Sequence, residues 1–231
     1  MQQLLQAARS NGIPVEERFA VPHERGKQPV AYRLDNDRLN PELARIGRRY
    51  LIHWTRASNG PWPDERAIDF YAAVIESHTY PRSVFCTLMN ILLNSRITAT
   101  GTNMPDRTAT VSLSGLPPTD TIPLMRWRAR YRHMSFEPYG IGIARSLTEM
   151  LGLRQVRYAD RRSTAITEDD VWLTQSPGKR SDWRAEDEYR HRGDILLSDV
   201  PHDKLLAFCL TSEEAALITK VTGIRAVPFQ Q

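Results

Sequence analysis

The sequence predicts a mixed fold of the α+β class rather than a parallel doubly wound sheet. Short apolar runs bounded by Gly, Pro, Asn and Asp recur from Leu39 onward, which reads as many short strands. Residues 64–77 and 83–93 instead repeat apolar positions at helical spacing. No Gly-rich phosphate loop and no G-x-G-x-x-G fingerprint occurs, so nothing points to a doubly wound nucleotide domain.

In chain order, residues 1–38 carry Pro14, Pro22, Gly26 and Pro29 among charges and read as an N-terminal arm, with one domain from 39 to 231. Residues 50–54 form a strand ending in His53 and Trp54. Helices follow at 64–77 and 83–93, then short strands at 96–100 and 110–113. The arginine-rich run 124–133 is expected to be helical, with a break at Pro123. A buried strand is expected at 139–144, a helix at 146–151 and a strand at 155–158. Gly140 and Gly142 read as small residues that let strands approach closely. The last third predicts strands at 195–197, 205–210 and 224–227, and a helix capped by Ser212 with Glu213 and Glu214 in its first turn. The tracts around 105–107, 117–118 and 158–180 read as loops.

With 231 residues, 41% of them hydrophobic, the chain is long enough to bury a normal core. Cys86 and Cys209 lie in apolar stretches far apart and read as core residues in a reducing compartment. The first nine residues lack the basic start and apolar stretch of a signal peptide, and no apolar run reaches membrane-spanning length. A cytoplasmic protein with no membrane partner is expected. A formal net charge of +4 permits a nucleic-acid partner without demanding one. Arg126, Arg128, Arg130 and Arg132 alternate with Trp127 and Tyr131 and with no acid. Guanidinium forks suit phosphates and aromatic faces suit bases, so this run is the nucleic-acid-binding candidate; a solvated flank is the competing reading.

Three polar signatures carry the chemistry: His53-Trp54-Thr55-Arg56, Ser112-Leu113-Ser114 and Glu186-Asp187-Glu188. Alternation puts Ser112 and Ser114 on one side of a strand, and Glu186 and Glu188 on one side if that segment is extended. Such a set suits cleavage of a glycosidic bond, where a carboxylate stabilises a sugar cation. Glu188 is the candidate for that role, Glu186 for orienting or deprotonating an acceptor, and His53 and Thr55 for holding a ribose hydroxyl. The six histidines show no local metal-ligand spacing, so no metal is expected, and no G-x-S-x-G elbow exists, so a serine hydrolase is not expected.

The order of these signatures resembles that of ADP-ribosyltransferases, in which a first-strand His or Arg, a Ser-Thr-Ser-like strand and a Glu-x-Glu strand follow one another. The chain departs from the Arg class by having His53 at the first position, with Arg56 close by. Its acidic motif also lies farther downstream than in compact members. The resemblance implies a split, mostly antiparallel sheet with flanking helices, NAD as substrate, Glu188, Glu186 and His53 as catalytic residues, and Thr55, Arg56, Ser112, Ser114 and Tyr139 around NAD. Tyr139 would stack on nicotinamide.

A second resemblance spans residues 51–193. Tyr80-Pro81-Arg82, Val111-Ser112-Leu113-Ser114, Tyr139-Gly140-Ile141-Gly142-Ile143, Leu153 to Tyr158 and Trp183 to His191 are similar to segments of bacterial abortive-infection proteins of the AbiGi type. That family is associated with phage defence and labelled an antitoxin. It implies a phage-defence or toxin-antitoxin setting and a cognate toxin or antitoxin partner. Two functions are therefore expected in competition: ADP-ribosyl transfer to a nucleic-acid or protein acceptor, or NAD hydrolysis; and a non-catalytic, nucleic-acid-binding or toxin-neutralising module.

Overall fold

The computed structural model describes residues 32, 34–102, 104, 106–128, 133–159, 167–176 and 186–231. Helix α1 (Glu42–Ile46) leads into β1 (Tyr50–Trp54), followed by helices α2 (Ala67–Glu76) and α3 (Val84–Leu93). Next come β2 (Arg96–Ile97), β3 (Thr110–Ser114), the short helix α4 (Pro118–Thr121), β4 (Trp127–Arg128), β5 (His133–Met134) and β6 (Gly140–Ala144). Strands β7 (Arg154–Gln155), β8 (Arg157–Tyr158) and β9 (Thr174–Gln175) precede β10 (Glu188–Arg192) and β11 (Ile195–Leu196). The chain closes with β12 (Leu205–Cys209), α5 (Ser212–Thr222) and β13 (Ala226–Pro228).

One seven-stranded sheet in the order β13-β12-β6-β1-β3-β10-β7 dominates, antiparallel throughout except between β12 and β13. The α+β expectation and its mostly antiparallel sheet therefore hold. The sheet is unevenly laddered. β1 pairs with β6 from Tyr50↔Ala144 to Trp54↔Gly140, and β3 pairs with β10 from Ser114↔Glu188 to Thr110↔Arg192. β1 and β3 meet only at Ile52↔Ser114 and then separate. Strand β6 approaches β1 closely: a Cβ at Gly140 would lie 2.8 Å from the His53 carbonyl oxygen, so glycine is needed there, while one at Gly142 would lie 3.1 Å from the Phe208 ring, which would have to shift slightly.

Alternation along the strands divides the core between the two sheet faces. Leu51, Val111, Leu113, Ile141 and Ile143 pack with Val84, Leu88 and Leu92 of α3 and Ile218 of α5. Ile52, Trp54, Leu206 and Phe208 pack on the other face with Leu43, Ile46, Met125 and Phe229. Each such side chain taken fully out of water contributes about 1.5–3 kcal/mol.

Several local expectations change. The arginine-rich segment is not helical where it is described: the 3-10 turn Ile122–Leu124 ends at Met125, whose ψ of 68° leaves helical geometry, and Trp127–Arg128 pairs antiparallel with His133–Met134. Residues 145–147 form a 3-10 turn rather than a helix, and the turns that follow it close at Gly152 with φ +65°. The expected strand 155–158 is two short strands that pair with different partners. The last helix is capped by Thr211, not Ser212, in a reciprocal capping box with Glu214. Within the tract 158–180, a 3-10 helix at Glu168–Leu173 brings Trp172 and Leu173 into the core. Tyr32 already belongs to the body, since its N–H donates to the Met125 carbonyl at 2.9 Å and its hydroxyl to Glu137 Oε1 at 2.8 Å. The rest of the expected arm before it lies outside the described residues.

Candidate active site

A cleft of about 610 Å³ opens where β1 and β3 part, a size typical of small-molecule and cofactor sites. His53, Arg56, Ser112, Ser114, Glu186 and Glu188 all line it. Three strands adjacent in the sheet, separated by long stretches of sequence, thus bring most of the expected site together.

Glu188 is held from two sides. The Ser112 hydroxyl donates to its Oε1 at 2.8 Å, and Arg190 donates from Nε to Oε1 at 2.8 Å and from Nη2 to Oε2 at 3.1 Å. Arg190 is itself anchored by the Trp172 carbonyl at 2.6 Å and by Gln175 Oε1 at 2.5 Å. The fork leaves the carboxylate almost no rotational freedom. Arg190 also lines the cleft and was missed by sequence reasoning. Its position two residues after Glu188, on the same strand face, was the available signal.

Glu186 is not part of the strand. Asp187 takes the left-handed backbone conformation, φ +46°, and turns its carboxylate toward Arg48 (3.0 Å), Arg145 (3.7 Å) and Gln155 (2.8 Å). Glu186 accepts from Ser114 Oγ at 2.8 Å through its carbonyl, leaving its side chain in the cleft. The pair shares the cleft through this turn, where simple extended alternation was expected. Gly115 makes room for it, since a Cβ there would lie 2.3 Å from Asp187 Oδ2. Burial, and after it the charge of Glu188, pushes the Glu186 carboxyl up to about 7, against the opposing pull of Arg128, Arg56 and Arg126. Arg128 Nη2 lies 3.9 Å from Glu186 Oε1.

His53 Nδ1 lies 2.9 Å from the Ser112 carbonyl oxygen. A carbonyl only accepts, so Nδ1 carries the proton and Nε2 is the acceptor in the neutral ring. Burial lowers the His53 pKa, Arg56 adds to the lowering, and the bond to Ser112 opposes it. Alternation places His53 on the sheet face of Leu51, and Ser112 with Glu188 on the face of Ile52. The ring therefore bridges the seam rather than joining the Ser112 hydroxyl on one side.

Two expected ligands lie away from the cleft lining. Thr55 is 2% exposed and donates from Oγ1 to the Tyr139 carbonyl at 3.1 Å. Tyr139 is 5% exposed; its ring packs against Phe85 and its hydroxyl donates to Glu214 Oε1 at 2.9 Å, so no face of it is presented for stacking. Burial and the Glu214 charge raise its pKa well above the ordinary tyrosine value. Arg126 is exposed, Arg128 lines the cleft, and Arg130 and Arg132 lie outside the described residues.

Among the described residues no group of three His, Cys, Asp or Glu is placed to hold a metal ion, and no helix is long and apolar enough to cross a membrane. Comparison with protein-family models, curated proteins and solved structures gives no match.

Proposed function

We propose that the cleft binds NAD, in a fold of the ADP-ribosyltransferase type, and breaks the bond between nicotinamide and ribose, passing the ADP-ribosyl group to water or to a hydroxyl of a nucleic-acid or protein acceptor. The observation that supports this reading is the union of Ser112, Glu188 and Glu186 on the wall of one cleft, with the His53 ring at the seam beside them. In the reaction the glycosidic C–N bond breaks and nicotinamide leaves with the bonding electron pair as a neutral base. The ribose C1 carries the resulting positive charge, and Glu188, fixed by Ser112 and Arg190, stabilises it. The acceptor oxygen then bonds to C1 while its proton passes to Glu186, whose carboxyl is poised near neutrality. His53 Nε2 accepts from a ribose hydroxyl, and Arg56 and Arg128 offset the pyrophosphate charge. A setting in phage defence or a toxin-antitoxin pair is part of the same proposal and rests on the AbiGi-type segments.

Incubating the purified protein with NAD and quantifying free nicotinamide tests the reading. Release well above the protein-free rate is expected. No release, alone or with nucleic-acid and protein acceptors added, would favour the non-catalytic binding module.

A further inference from the structure

The cleft has a second wall that the proposed reaction does not use. Thr87 and Asn90 of α3 and its C-cap Asn94 form one stripe and line it together with Trp62. Trp62 is fixed before any ligand arrives. Pro61 and Pro63 flank it in sequence, its N–H donates to Glu65 Oε2 at 2.8 Å, and its indole Nε1 donates to Thr87 Oγ1 at 3.1 Å. The Arg82 guanidinium lies 3.9 Å from the ring centroid of Trp62, between it and Phe70, and is itself paired with Glu65.

We infer that this wall is an adenine subsite, in which the base stacks on Trp62 and is read at its edge by Asn90. A guanidinium on the ring draws on its π-density, so the indole favours a neutral heteroaromatic base over the cationic nicotinamide ring. The Asn94 amide donates to Asn90 Oδ1 at 2.9 Å. That bond leaves the Asn90 NH2 to donate to a ring nitrogen and the second lone pair of Oδ1 to accept from an exocyclic amine, the pairing that suits adenine. A rigid stack of this kind costs little order on binding. The inference rests on the NAD reading for its orientation, with the ligand passing through the open seam between β1 and β3: adenine on the α3 face of the sheet, nicotinamide toward the two glutamates on the other.

Calorimetric titration of the full chain with AMP and with ribose 5-phosphate separates base from sugar-phosphate recognition. Trp62→Ala is expected to weaken AMP by roughly tenfold or more, the scale of one base-aromatic stack, while ribose 5-phosphate binds as before. Trp62→Phe should restore most of the loss, and Asn90→Ala, at a half-buried position that carries no core side chain, should weaken AMP without disturbing the fold. AMP binding unchanged in Trp62→Ala, equal weakening of both ligands, or no AMP binding by the native chain would overturn the subsite. Trp62-dependent AMP binding without nicotinamide release would remove the reaction and keep the subsite; release with Trp62-independent binding would do the reverse.

Discussion

Ser112 and Glu188 are joined on the diagonal of an antiparallel ladder: Ser112 lies opposite Arg190 and Glu188 opposite Ser114, yet the Ser112 hydroxyl reaches Glu188 Oε1 at 2.8 Å. The three side chains form a small triangle in which the serine selects one carboxylate oxygen and the arginine grips both. Ser112→Ala should therefore lower NAD turnover by about ten- to a hundredfold, since a hydrogen bond to a charged group is worth about 1.5–3 kcal/mol. The exposed hydroxyl contributes little to folding, so the melting temperature should hardly move. Steady-state kinetics with a thermal melt checks both, and unaltered turnover would detach the serine from the site.

The raised Glu186 carboxyl sets a pH dependence with a definite sign. If it accepts the acceptor proton, turnover should climb as pH passes through about 7. Stability should run the other way. The protonated form is favoured in the folded chain, so this contribution is complete below the unfolded carboxylate pKa, near 4.5, and is lost as pH rises through about 7. Glu186→Gln should flatten both profiles. A turnover step that persists in that variant belongs to another group.

His53 predicts the opposite trend. Its folded pKa lies below the unfolded value of 6.5, so its contribution is present above 6.5 and is lost as pH falls through the folded value. Urea midpoints should therefore decline on acidification from pH 7.5 to 5.5, less steeply in His53→Asn. Equal slopes in the two proteins would show that the ring is not held neutral.

Arg128 and Arg126 separate the cleft from the nucleic-acid reading. Arg128 lies 3.9 Å from Glu186 and pulls its pKa down, so Arg128→Gln should shift the turnover profile to higher pH. Arg126 is exposed and open to phosphate contact. If it makes one, Arg126→Gln reduces the salt slope of nucleic-acid binding by about one unit; an identical slope would make it a solvated charge.

The elements that the sequence makes legible are those whose pattern is local. β1 and α3 show their apolar period, and the Thr211–Glu214 box stands beside the serine expected as cap. Ser112, Glu186 and Glu188 were legible because their types and order carry chemistry. The seam between β1 and β3 was not, since a ladder that stops after one pair leaves no mark in either strand. Tyr139 misled because its neighbours form a strand, while the group that claims its hydroxyl, Glu214, lies far along the chain. Trp62 sits in a Pro-Trp-Pro segment, a context that reads as a loop and gives no hint of the Arg82 beneath the ring.

The central claim is that the Glu188 charge faces a developing sugar cation, and the Glu188→Gln variant tests it most directly. The change is nearly isosteric and leaves Arg190 its bonds to Trp172 and Gln175, so the fold should survive. Nicotinamide release by this variant should fall by a factor of about 100 to 1,000, the scale of one lost electrostatic group in a transition state, with NAD affinity largely kept. Release at the native rate from a folded Glu188→Gln protein would contradict the account.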